Sequence, residues 1–146
     1  MAGNVHAQTS DFGDYSGFGS ASSTVNSNMK IGVLIDAESS AVTNATATGD
    51  DNNGVDDEDG VTLPQFLIRG QSASITVNVS NNRGGTSYLN AWIDYDRNGT
   101  LASGERIASN LTVANGTTNS NRVINFTVPS TASVGTTCVR VRLTSS

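Results

Sequence analysis

Cys138-Val139-Arg140-Val141-Arg142-Leu143 alternates strictly, with Val139, Val141 and Leu143 on one side and Cys138, Arg140 and Arg142 on the other. A period of two is the mark of a half-buried strand. Working outward, Ala73, Ile75, Val77 and Val79 share one face of a second such run at 73–80. Further strand-like runs lie at 61–68, 88–95, 106–113 and 122–128, and Ile31-Gly32-Val33-Leu34-Ile35 is a short apolar run of buried type. Asn81-Asn82-Arg83-Gly84-Gly85 and Asn115-Gly116 separate them as turn punctuation. No apolar 3.6 period persists for three turns. Short alternating strands with turn signals between them predict an all-β chain, an antiparallel β-sandwich of about 7–9 strands. Trp92 and Phe126, both inside strand-like runs, are assigned to its core.

At 146 residues the chain suits one domain, taken as 1–146. Charged residues make up only 14%, so the polarity comes from Ser, Thr and Asn, which favour turns and disfavour helix. Residues 1–29 read as an ordered N-terminal loop pinned by Phe12, Tyr15 and Phe18. Eight Lys and Arg stand against 13 Asp and Glu, net −5. The sequence shows no basic face for a phosphate backbone, so nucleic acid is not expected as a partner. No apolar run approaches the ~18–20 residues of a membrane span, so membrane insertion is not expected. Met1–Ala7 lacks the features of a signal peptide, and the chain reads as a module cut from a longer protein. A single cysteine, Cys138, makes no internal disulfide, so the loops need another fastening.

The acidic residues supply one. Asp94-Tyr95-Asp96-Arg97-Asn98-Gly99-Thr100-Leu101-Ala102-Ser103-Gly104-Glu105 fits D-x-[DN]-x-[DN]-G-x5-E at every specified position. Oxygens of Asp94, Asp96 and Asn98, the Thr100 carbonyl and a bidentate Glu105 are the donor set of a calcium loop, with Gly99 at the sharp turn. A strand precedes it, so this is a calcium loop set into a β-protein and not a paired sensor hand. A second candidate is Gly49-Asp50-Asp51-Asn52-Asn53-Gly54-Val55-Asp56-Asp57-Glu58-Asp59-Gly60, with six carboxylates in ten residues. Such crowding calls for solvent or a divalent cation. Asp50, Asn52, Asp56, Asp57 and Asp59 are its candidate ligands, with Asp36 and Glu38 after the first strand. Oxygen-only donors exclude zinc, and magnesium seldom fills a protein cage, so Ca2+ is the expected cofactor.

These residues add up to a resemblance. Asp11-Phe12-Gly13-Asp14, Asp36-Ala37-Glu38 and Ala45-Thr46-Ala47-Thr48 through Gly60-Val61 are similar to the GEVED domain of bacterial surface and secreted proteins. Tyr88-Leu89-Asn90-Ala91-Trp92-Ile93-Asp94-Tyr95, Gly104-Glu105 and Arg140-Val141-Arg142-Leu143 are similar to it as well. The resemblance runs from about residue 11 to 144. It implies an extracellular β-rich module of large multidomain proteins, often adhesins, without known catalysis.

The expected function is a calcium-dependent ligand-binding module of a cell-surface adhesin, with a carbohydrate as the first choice of ligand and a peptide as the second. Asp51, Asn53 and Tyr95 are the candidate ligand-binding residues, beside the metal. The alternative is a calcium-stiffened spacer or assembly module contacting only its neighbouring domains. No catalytic residues are assigned: the sequence has no Gly-x-Ser-x-Gly elbow or phosphate loop, and its only histidine is His6.

Overall fold

The computed structural model describes residues 10–12, 17, 22–33 and 60–146. Nine strands make up the described chain: β1 (Ser10–Phe12), β2 (Ser22–Thr24), β3 (Met29–Ile31), β4 (Val61–Thr62), β5 (Ser72–Asn81), β6 (Ser87–Ile93), β7 (Arg106–Val113), β8 (Thr117–Thr127) and β9 (Val139–Thr144). A 3-10 turn, Ser103–Glu105, lies between β6 and β7. Every pairing among the described residues is antiparallel. The all-β expectation holds.

β5 organises one sheet. Along one edge it pairs with β8 from Ser72↔Thr127 to Val79↔Ser120. Along the other it pairs first with β4, at Val77↔Val61, and then with β3, at Asn81↔Met29. β3 and β4 therefore lie end to end on the same edge. At their junction a Cβ on Gly60 would sit 2.4 Å from the Gly32 nitrogen, so only glycine lets the two backbones pass. A second sheet has the order β7-β6-β9, and β1 and β2 form a separate two-stranded ribbon.

The two larger sheets share one apolar core. Ile75, Val77 and Val79 of β5 meet Leu89 and Ala91 of β6, Ala108 and Val113 of β7 and Ile124 of β8, with Val139, Val141 and Leu143 of β9 packed against them. The alternation read at 73–80 and 139–143 is thus the alternation of core and solvent. Asn81, fully buried, fastens the corner between the sheets: its Nδ2 donates to the carbonyls of Gly85 (2.8 Å) and Val113 (2.7 Å). Among the described residues β8 pairs only with β5, and Arg122 shares the core side of that ladder with Val77. A charge turned inward on an edge strand discourages pairing with another chain.

Four expectations need correction. The run 61–68 is a strand only at Val61–Thr62; Pro64 cannot donate to a ladder, and Leu63, Phe66 and Ile68 are exposed beyond it. The 1–29 segment contains strands β1 and β2, where an ordered loop was expected. β8 begins at Thr117, well before 122, because 117–121 holds only Thr, Asn and Ser and gives no apolar signal on either face. Trp92 does not enter the core: Leu89, Ala91 and Ile93 take the inward positions of β6, leaving Tyr88, Asn90 and Trp92 on the outer face. Phe126 packs against the core as expected.

Candidate metal centre

The loop 94–105 joins β6 to β7 across one end of their sheet. β6 delivers Asp94 because Ile93 is locked into the core and the ladder continues one step further, the Asp94 N–H donating to the Cys138 carbonyl (3.2 Å). The Thr137 hydroxyl donates to the Asp94 carbonyl. Two left-handed residues then turn the chain, Arg97 (φ +62°) and Gly99 (φ +76°). The 3-10 turn brings Glu105 back beneath the loop, its N–H donating to the Ala102 carbonyl (3.1 Å).

Asp94 and Glu105 are 5% and 6% exposed, while Asp96 faces solvent. Their carboxylate oxygens approach within 4.8 Å of one another. Backbone N–H groups take part of each charge. Asp94 accepts from Asn98 N at Oδ1 (3.1 Å) and from Gly99 N at Oδ2 (2.9 Å). Glu105 accepts from Tyr95 N at Oε1 (2.7 Å) and from Ala102 N at Oε2 (2.9 Å), so one carboxylate clasps both ends of the loop. Asp96 Oδ1 accepts from Asn98 N (3.1 Å).

An ionised carboxylate offers about four acceptor positions, so each of these three keeps capacity for a further electrophile. The loop's own cation does not supply it. Arg97 turns away, its Nε donating to the Thr136 carbonyl (2.9 Å) and its Nη1 to that of Val134 (3.0 Å). Negative charges this close repel by about 3–4 kcal/mol per pair at an effective dielectric of 20.

Of the other expected ligands, Asn98 turns its Oδ1 to the Thr100 N–H (2.7 Å), and Thr100 is exposed. Tyr95 is buried among Ile93, Val128 and Ala132, away from the surface role expected of it. Its hydroxyl is buried without a hydrogen-bond partner. Burial first, and the Glu105 charge second, push its pKa up to about 12. Asp36, Glu38, Asp50, Asp51, Asn52, Asn53, Asp56, Asp57 and Asp59 lie outside the described residues.

Several supporting groups gave no signal in the sequence. Ser133 braces the loop from the side, its N–H donating to the Tyr95 carbonyl (2.7 Å) and its hydroxyl to that of Asp96 (3.1 Å). Gly135 makes room for Arg97, since a Cβ there would lie 2.7 Å from the guanidinium. The Gly17 carbonyl, between β1 and β2, sits 3.2 Å from where a Gly99 side chain would begin. The Gly17 backbone thus lies close against the acidic loop at Gly99. Glycine spacing can announce a turn, but not which distant backbone closes over it.

No curated protein and no solved structure shows a match to the chain. Among protein families, the model of the GEVED domain matches residues 88–146. That stretch begins in β6, contains the whole acidic loop and ends beyond β9, so the similarity to the GEVED domain covers the sheet edge that carries the loop.

Proposed function

We propose that this chain is a calcium-ordered ligand-binding module of an adhesin-type cell-surface protein, built as a β-sandwich whose 94–105 loop holds the ion. The observation that carries the reading is the convergence of Asp94, Asp96 and Glu105 at the end of one sheet, with two of the three buried and Arg97 turned away. Oxygens on opposite sides of a calcium ion stand about 4.6–5.2 Å apart, twice the usual Ca–O distance. Carboxylate oxygens that all lie within 4.8 Å of one another are near enough to share one such ion. Magnesium keeps several of its waters and is seldom caged by protein oxygens alone, which leaves calcium as the preferred ion.

The module is read as non-catalytic. Carboxylates braced by backbone N–H groups and held on a cation are poor general acids. A carbohydrate remains the first ligand class, taken at the exposed Asp96 side of the loop. A second reading, the calcium-stiffened spacer, is favoured by the inward burial of Asp94 and Glu105, which spends most of the donor set on order.

Thermal unfolding in millimolar calcium and in excess chelator tests the metal, with Glu105→Gln alongside. At a calcium concentration 100-fold above the dissociation constant, one site adds about 2.7 kcal/mol. For a chain of this size each kcal/mol raises the midpoint by about 2–4 °C. A rise of several degrees, reduced in the variant, is the expected result; superimposable curves would remove the metal from the proposal. A glycan array read with calcium and with chelator then separates binder from spacer.

A further inference from the structure

The three strands of the β7-β6-β9 sheet read Arg106-Ile107-Ala108-Ser109-Asn110-Leu111-Thr112-Val113, Ser87-Tyr88-Leu89-Asn90-Ala91-Trp92-Ile93 and Val139-Arg140-Val141-Arg142-Leu143-Thr144. They contain three arginines and no carboxylate, in a chain of net charge −5. Register puts all three arginines on one face. Trp92 pairs with Arg106 on one side and Arg140 on the other, and Asn90 pairs with Arg142. Residues directly opposite in an antiparallel ladder share a face, and the inward face belongs to Leu89, Ala91, Val139, Val141 and Leu143. The outer face therefore carries Arg106, Trp92 and Arg140 in one row, with Asn90, Arg142 and Tyr88 beside them. The sequence alone showed no basic face, because these arginines come from strands far apart in the chain.

The arginines differ in what occupies them. Arg106 lies 5.0 Å over the Trp92 ring and donates to the Ser109 hydroxyl. Arg140 and Arg142 stand two residues apart on one strand, about 7 Å along it, and neither meets a carboxylate among the described residues. Their mutual repulsion adds to the burial that lowers the pKa of Arg140. Two adjacent guanidiniums without a counter-charge among the described residues, beside the Trp92 and Tyr88 rings on the same sheet face, form a recognisable combination. Guanidinium forks bind carboxylates in a bidentate manner, and half-buried Trp and Tyr present rigid apolar surface at small entropic cost. Side chains on a sheet face offer rings for stacking, whereas an extended peptide pairs along a strand edge.

We propose that this outer face, centred on Arg140, Arg142 and Trp92, is a second binding surface whose ligand is an acidic polysaccharide carrying uronate carboxylates. It is distinct from the 94–105 loop and does not depend on a cation there.

Calorimetric titration with a hyaluronan hexasaccharide, in which every second sugar is a uronate, tests it. The neutral chitin hexasaccharide, a hexaglutamate peptide and a single-stranded oligonucleotide serve as comparison ligands. The expected result is hyaluronan binding that weakens with added salt and falls at least about tenfold in Arg140→Gln/Arg142→Gln. Arg122→Gln, on the other sheet, should bind as the parent does. Circular dichroism and the unfolding midpoint of each variant separate lost binding from lost fold. Glu105→Gln, if folded, should retain hyaluronan binding, which keeps this result apart from the fate of the calcium reading. No binding at millimolar hyaluronan, or binding untouched by the double variant, would overturn the proposal. Equal or tighter binding of the peptide, the oligonucleotide or the neutral sugar would overturn the choice of ligand.

Discussion

The acidic loop and the arginine face belong to the same sheet, yet they handle charge in opposite ways. At the end of β6, Asp94 and Glu105 are drawn inward and distributed over backbone N–H groups of the loop. On the outer face of β6 and β9, Arg140 and Arg142 remain beside each other without a carboxylate among the described residues. The difference follows from what each group can borrow from the backbone. A loop that winds around a point turns several N–H groups toward it, so anions can be gathered there at modest cost. A ladder has already spent its inner backbone groups on its neighbours, so cations on its face need carboxylate side chains for balance, and β6, β7 and β9 contain none. The loop calls for a compact cation and the face for an extended anion.

Glycine substitutions inside the loop break the comparison most sharply. Gly99 and Gly104 are both loop glycines, but only Gly99 is left-handed and pressed by another backbone, the Gly17 carbonyl. A Cβ on Gly104 meets nothing within 4 Å. Gly99→Ala should cost about 1–2 kcal/mol from the left-handed backbone alone, whereas Gly104→Ala should lie within about 0.5 kcal/mol of the parent. Urea unfolding of the two variants measures both. Equal effects would mean that winding at Gly99 is not what gathers the carboxylates.

Tyr95 is the cost of that winding, since its hydroxyl is carried into an apolar pocket and left without a partner. Tyr95→Phe should therefore raise stability, by about 1 kcal/mol, through removal of an unsatisfied buried group. The folded protein holds the phenolic proton up to about pH 12, against 10 for an ordinary tyrosine. Between those values the unfolded chain releases a proton that the folded chain keeps, so stability falls as pH rises through this window. Phenylalanine has no such proton, and the alkaline limb of its stability curve should be shallower. A destabilised Tyr95→Phe would mean that the hydroxyl has a partner in solution.

Much of this was legible from one-dimensional pattern. The two-residue period at 73–80 and 139–143 places the core correctly because each of those strands has one wet face. The spacing of Asp94, Asp96 and Glu105 brings them together because a twelve-residue loop with glycine at its sixth position has few ways to close. Legibility fails where the deciding partner is distant in sequence. Trp92 has the composition of a core residue, and only the inward claims of Leu89, Ala91 and Ile93 turn it outward. The run at 61–68 carries ample apolar residues, yet after Pro64 they have no sheet to join. The arginine face is the extreme case, because register between β6, β7 and β9 creates it and no single segment of sequence contains it.

The smallest effect probes that register directly. Arg106 is exposed and its hold on the Trp92 ring spans β6 and β7. A cation–π contact at an exposed site is worth about 0.5–1 kcal/mol, so Arg106→Gln should lower stability by about that much and no more. The same change uncovers one face of the indole, so Trp92 fluorescence should shift as the guanidinium leaves. A spectral change with little loss of stability is what a surface platform predicts. A loss of several kcal/mol would place Trp92 back in the core, and the outer face would then lack the ring on which an acidic sugar could stack.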